Sequence, residues 1–202
     1  MTGIAAGKNG MAPGANIVAV QIQSELFDPA YITETNPDGY STTLRDHDIF
    51  SAYDWLLEIQ KDLKAEGKPV SILNLSLGGG KFADYCDASD TALGMSFDVF
   101  RKLNEAGILP VAAAGNEKYD DGVNLPACFS NVIAVGALTN MNDPYIADYS
   151  NHGRLVDILA PGSEIRSAYL VEENSLVLIT CEDESVDGGY LNRRLILAEP
   201  SS

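Results

Sequence analysis

The sequence predicts an α/β domain, with a parallel central sheet and helices on its faces. Three observations predict it. Short runs rich in Val, Ile, Leu and Ala recur along the chain, stretches with helical spacing of apolar residues lie between them, and glycines mark most of the switches. Strands that alternate with helices are joined by right-handed crossovers, which makes neighbouring strands parallel and buries both faces of the sheet.

Taken in order, residues 16–22 (NIVAVQI) follow Pro13 and Gly14 and read as a buried strand. Residues 24–43 are polar and rich in Pro, Gly and Thr, which predicts a long surface loop. Ile49, Tyr53, Leu56, Leu57 and Leu63 recur at helical spacing, so a helix is expected over 46–66, stopped by Gly67. Residues 70–75 (VSILNL) form the next strand and run into Gly78, Gly79 and Gly80. A second helix is expected over 90–106, carrying Leu93, Phe97, Phe100 and Leu103, with Gly107 closing it. Further strands are expected at 108–114 (ILPVAAA), at 131–138 (NVIAVGAL) and at 156–159. Ligands of such sheets sit at the carboxyl ends of the strands. Two of those ends are chemically distinctive: Ser76, Leu77 and Gly78 after one strand, and Ala114, Gly115 and Asn116 after another.

With 202 residues and 46% hydrophobic content, the chain can bury one sizeable core but is too short to argue for two. Its formal charge of −16 excludes nucleic acid and anionic membrane surfaces as natural partners, because phosphate would be repelled. No apolar run approaches the ~18 residues of a membrane span, and the first residues lack the basic and apolar regions of a secretory signal. The dinucleotide and mononucleotide glycine motifs are both absent, which disfavours a nucleotide-binding domain and implies no cofactor. Cys86, Cys128 and Cys181 show no C-x-x-C spacing, so a zinc knuckle is not indicated. An oxidising compartment would pair two of them and leave one over; a reducing one would leave three buried thiols. Asp120, Asp121 and Asn124 read as a solvated polar loop, and no metal site is expected.

Four segments, in order, carry more: GIAAGKNGMAPGANIVAVQI (3–22), SILNLSLGGG (71–80), VAAAGNE (111–117) and YSNHGRLVDILAPG (149–162). Together they resemble the subtilisin-like serine proteases, the subtilase family, over residues 3–169. The resemblance implies a three-layer sandwich, truncated here at both ends, and a serine-type endopeptidase acting on polypeptide in extended conformation. By position alone Asn116 would suit a turn or a cap; the resemblance makes its side-chain amide an oxyanion-hole donor. Ser76, Leu77 and Gly78 become the edge that pairs with substrate backbone, and Ala113, Ala114 and Gly115 the facing wall of the primary specificity pocket. It also implies a Cys86–Cys128 disulfide with Cys181 left over, secretion, and a monomer.

The departures from the family pattern are equally specific. The catalytic Asp and His of the family would precede Gly3, and the G-T-S-M segment bearing its serine has no counterpart in 166–202. His47 reads as a solvated residue at a helix start and His152 as a turn residue, so neither replaces the missing base. Residues 170–202 do not resemble the family, though 175–181 could form a strand. The expectation is a protease domain that is inactive by itself; the alternative is a non-catalytic relative that binds extended peptides.

Overall fold

The computed structural model describes residues 2–8, 10–33, 36–37, 39–44, 46–88, 96–139, 144–163, 166–172 and 175–180. Two compact units emerge, one comprising Met1–Ile17, Leu138–Tyr145 and Pro161–Ser202, the other Val18–Ala137 and Ile146–Ala160. The first begins with the short helix α1 (Thr2–Ala6), after which the chain folds back through Met11 N–H to Ile4 O at 3.0 Å.

In the second unit, β1 (Gln23–Phe27) and β2 (Tyr40–Leu44) form an antiparallel hairpin that pairs Phe27 with Tyr40. A 3-10 turn over Pro29–Tyr31 connects them, capped by the Asp28 carboxylate. The loop expected at 24–43 is therefore a hairpin. Its Pro, Gly and Asp residues do make the connection, but Thr42 and Thr43 are strand formers, and their polarity disguised this. Residues 16–22 depart in the other direction. They carry no strand among the described residues, and Ile17, Val18 and Val20 are exposed. A strand needs a ladder partner as well as apolar side chains, and β3 (Ile72–Leu75) ends the sheet without pairing to them.

Helix α2 (Asp46–Ala65) lies where the spacing of its apolar residues placed it. Ile49, Tyr53, Leu56 and Gln60 make its buried stripe. The glutamine at the end of that stripe is fully engaged: its amide donates to Val70 O at 2.8 Å and Ala106 O at 3.1 Å and accepts from Val70 N–H at 2.8 Å. It thus fixes the entry into β3. After β3 come β4 (Gly79–Phe82) and α3 (Phe97–Glu105), which is capped by the Ser96 hydroxyl and closed by Gly107 at φ +76°. The 90–95 part of the helix expected over 90–106 lies outside the described residues. Next are β5 (Leu109–Ala113), β6 (Val123–Leu125), β7 (Ile133–Leu138) and β8 (Ile158–Pro161).

The central sheet has the order β3-β5-β7-β8, with β3, β5 and β7 mutually parallel. This is the parallel sheet the alternating pattern predicts. A smaller antiparallel ladder joins β4 to β6. Helix α3 packs on β5 and α2 on α3, so both long helices share one face. Along β5 burial alternates accordingly, with Pro110 and Ala112 buried and Leu109 and Ala113 exposed. On the face away from the helices, Ile72 and its register partner Leu109 are 61% and 44% exposed. In the first unit, β9 (Arg166–Glu172) and β10 (Ser175–Thr180) pair with each other and, among the described residues, with no other strand.

Phe100 is the centre of the core. Its ring meets Tyr53 edge-on at 5.7 Å and Phe129 at 5.4 Å. Burial raises the Tyr53 phenol far above its ordinary value, and the hydroxyl has no hydrogen-bond partner among the described residues. Tyr53→Phe removes that desolvated group while keeping the ring. It is expected to raise stability by about 1 kcal/mol in urea denaturation; a loss of that size would mean the hydroxyl has a partner.

Candidate active site

Three segments converge where the parallel strands end. The register sets Leu75 beside Ala112, so Ser76 and Leu77 leave β3 next to Ala113 and Ala114 at the end of β5. The β4–β6 ladder then brings Leu125 against Gly79. Gly78 lies so close to this third segment that a Cβ would stand 2.6 Å from Leu125 O, which only glycine avoids. Ser76 and Gly78 are exposed and Leu77 half-buried; Asn74 donates to the Ser76 hydroxyl at 3.0 Å. Ala113 is exposed and Ala114 buried, its N–H donating to Val135 O at 2.8 Å. The residues singled out at the two strand ends therefore form one small, backbone-rich surface.

The chain turns sharply past that surface. Gly115 has φ +116°, and a Cβ there would lie 2.1 Å from the Asn151 amide nitrogen, so conformation and space both require glycine. Asn116 follows, exposed, with its backbone N–H donating to the Glu117 carboxylate at 3.0 Å. Among the described residues no hydrogen bond ends on its side-chain amide. An amide with free N–H groups, carried on a held loop at a strand end, is suited to stabilise negative charge developing on a carbonyl oxygen.

Much of the fixing comes from residues the sequence reading passed over. Asn151, fully buried, accepts at Oδ1 from the N–H groups of Glu117 at 2.9 Å and Tyr119 at 3.0 Å. Its amide donates to Ala114 O at 3.0 Å, Glu117 Oε2 at 2.8 Å and Asn124 Oδ1 at 3.1 Å. Asn124 is buried too and donates through its backbone to Ala114 O at 2.8 Å. The expected solvated loop is thus corrected for Asn124, whose side chain is buried with its Oδ1 accepting from the Asn151 amide at 3.1 Å. Asp121 is on the surface as expected, and the Lys81 ammonium bonded to it holds its carboxyl below the usual carboxylate range. Lys81 also sits 5.1 Å over the Tyr119 ring.

Both histidines have structural settings. His47 shares a hydrogen bond of 3.2 Å with Ser51, an i,i+4 pair on the exposed surface of α2. The His152 backbone donates to Tyr119 O at 2.8 Å and accepts from Gly122 N–H at 3.1 Å, while its ring lies 3.6 Å from the exposed Asp120 carboxylate and 3.4 Å from Ser150 O.

Beyond β6, Cys86 and Cys128 are joined, with S–S 2.00 Å and Cα atoms 5.4 Å apart. Asp87 reinforces the link by accepting from the N–H and hydroxyl of Ser130 at 2.9 and 2.7 Å. Cys181 lies outside the described residues. On protein made in an oxidising compartment, reduction is expected to add two hydrogens to the intact mass, and Cys86→Ser should abolish that pairing. An 86–181 or 128–181 linked peptide in a non-reducing digest would contradict it.

Comparison with known proteins bears on the family of the chain. The model of the Subtilase family matches residues 1–190, running past residue 169, the expected end of the resemblance. Subtilisin-like protease 2 of Trichophyton rubrum is 33% identical over 170 residues, covering 84% of this chain and 33% of its own length. The protein of the same name from Trichophyton verrucosum is 34% identical over the same span. The chain therefore spans about a third of the length of the curated relatives it matches. Among solved structures, Sphericase superposes with a TM-score of 0.51 at 25% identity, over 68% of this chain and 44% of its own. With nearly the whole sequence matched and the parallel sheet in place, the chain belongs to the subtilase family of serine peptidases.

Proposed function

We propose that this chain carries the oxyanion-hole and substrate-binding part of a secreted serine-type endopeptidase domain, and that it does not turn over substrate alone. The observation that carries the reading is the Asn116 side-chain amide. It stands without a partner among the described residues just past the end of β5, the strand whose neighbour β3 runs out into the exposed Ser76, the half-buried Leu77 and the exposed Gly78. An extended polypeptide can add to such an edge by main-chain hydrogen bonds. The small Ala113, Ala114 and Gly115 leave room beside it for a large substrate side chain. Secretion is supported by the Cys86–Cys128 bridge, since such bonds persist in oxidising compartments.

Hydrolysis also needs a nucleophile, a base and a group orienting the base. Among the described residues neither His47 nor His152 is set against a nucleophile beside Asn116, and the proposal has these parts supplied by further segments. A non-catalytic peptide-binding role is the second reading, favoured by that same setting of the histidines. One experiment addresses both. The 202-residue chain should not label with a fluorophosphonate probe. After addition of segments bearing Asp and His upstream and G-T-S-M downstream, it should label and cleave a peptide anilide. Labelling of the chain alone would refute the proposed incompleteness, and a completed, folded protein that binds peptide without cleaving would favour the second reading.

A further inference from the structure

Every hydrogen-bonding atom of the Asn151 side chain is committed to holding the loop that presents Asn116. Its oxygen takes the N–H groups of Glu117 and Tyr119, and its nitrogen serves Ala114 O, Glu117 Oε2 and Asn124 Oδ1. Its backbone N–H adds Gly115 O at 3.0 Å, so residues on both sides of Asn116 are gripped by one buried residue. Asn151 is itself held: the buried Ser150 hydroxyl donates to Asn151 O at 3.0 Å and accepts from Ala137 N–H of β7 at 2.9 Å. The Asn116 loop is therefore referenced through Asn151 to the central sheet.

The geometry points to Asn151 as a positioning residue, whose buried amide fixes the backbone from which the Asn116 side chain reaches the substrate carbonyl as charge develops there. This rests on the oxyanion reading of Asn116. A preorganised donor is effective because it need not move at the moment of reaction, and a misplacement of about 1 Å by a change away from the chemistry can cost as much as 10²-fold. No other side chain offers the same service. Aspartate would place a carboxylate against Glu117 Oε2 and Ala114 O, and threonine can keep only part of the set.

The test is a double-mutant cycle in the completed enzyme, with Asn151→Thr and Asn116→Ala made separately and together. Asn151→Thr is expected to lower kcat about tenfold with KM within about twofold. Asn116→Ala should lower it by about 10²–10³, and the double variant should fall no further than Asn116→Ala alone, because one residue acts through the other. Multiplicative losses, or an Asn151→Thr loss confined to KM, would overturn the positioning role. Asn116→Ala without effect would instead overturn the oxyanion reading beneath it. A second measurement needs no turnover and uses the 202-residue chain. In Asn151→Thr, nitrogen relaxation of the Asn116 and Glu117 backbone amides should show lost order. The Asn104 side-chain amide, anchored on Asn131 O at 2.8 Å, should not change. Asn116 and Glu117 backbone amides as ordered as in the parent chain overturn the proposal.

Discussion

Asn116→Ala in the completed enzyme is expected to reduce kcat by about 10²–10³, equivalent to about 2.7–4 kcal/mol of transition-state stabilisation, and to leave KM nearly unchanged. The split between the two constants follows from the geometry. In the proposed reading, ground-state binding draws on the backbone of Ser76, Leu77 and Gly78 and on the small residues 113–115, none of which the substitution touches. The Asn116 amide is exposed, and no partner among the described residues ends on it, so its removal leaves no buried group unsatisfied. The folding midpoint should therefore stay where it is, which separates a catalytic loss from a structural one. A variant with full kcat, or one whose loss lies wholly in KM, would refute the assignment of Asn116.

The largest effect on stability is expected at Phe100. Phe100→Ala should cost about 3–5 kcal/mol, the usual range for truncating a large buried aromatic. The ring is fully buried between Tyr53 of α2 and Phe129 beyond β6, so its loss opens a cavity in contact with two other elements. Neither neighbour can collapse freely. Tyr53 is fixed in the buried stripe of α2, and Phe129 follows the bridged Cys128 directly. Domains of this size are stable by only about 5–15 kcal/mol, so the variant should approach global unfolding at ambient temperature. Urea denaturation monitored at Trp55 reads this directly. A loss below about 1 kcal/mol would mean that the cluster is not the centre of the core.

The parts of the fold legible in the sequence were those where local pattern and tertiary role coincide. Ile49, Tyr53 and Leu56 announce α2 because the face they define is the face that is buried. The apolar runs at β3, β5 and β7 announce a parallel sheet because such strands are covered by crossovers. Residues 16–22 misled because apolar composition records a capacity for burial and says nothing of a partner. The hairpin at β1 and β2 was hidden for the opposite reason, since its turn residues and threonines look like an unstructured stretch. At the site, the residues that would touch substrate were legible through motif resemblance. The support behind them was not. Asn124 and Asn151 sit among Asp, Ser and His neighbours that suggest a wet surface, and only the fold reveals that three segments close over them.

The grip of Asn151 on the Asn116 loop also orders events in time. The two residues are 35 positions apart, so at a synthesis rate of about 5–20 residues per second the clamp emerges roughly 2–7 s after the loop it holds. Until then Glu117 and Tyr119 lack the acceptor that fixes their N–H groups, and Ala114 O lacks one of its two donors. A nascent chain that has exposed β5 and Asn116, but not yet residues 149–153, therefore carries the proposed binding edge before it carries a held Asn116 loop. On the proposed reading the peptide-binding surface matures first, and charge stabilisation waits until the later segment closes over the loop.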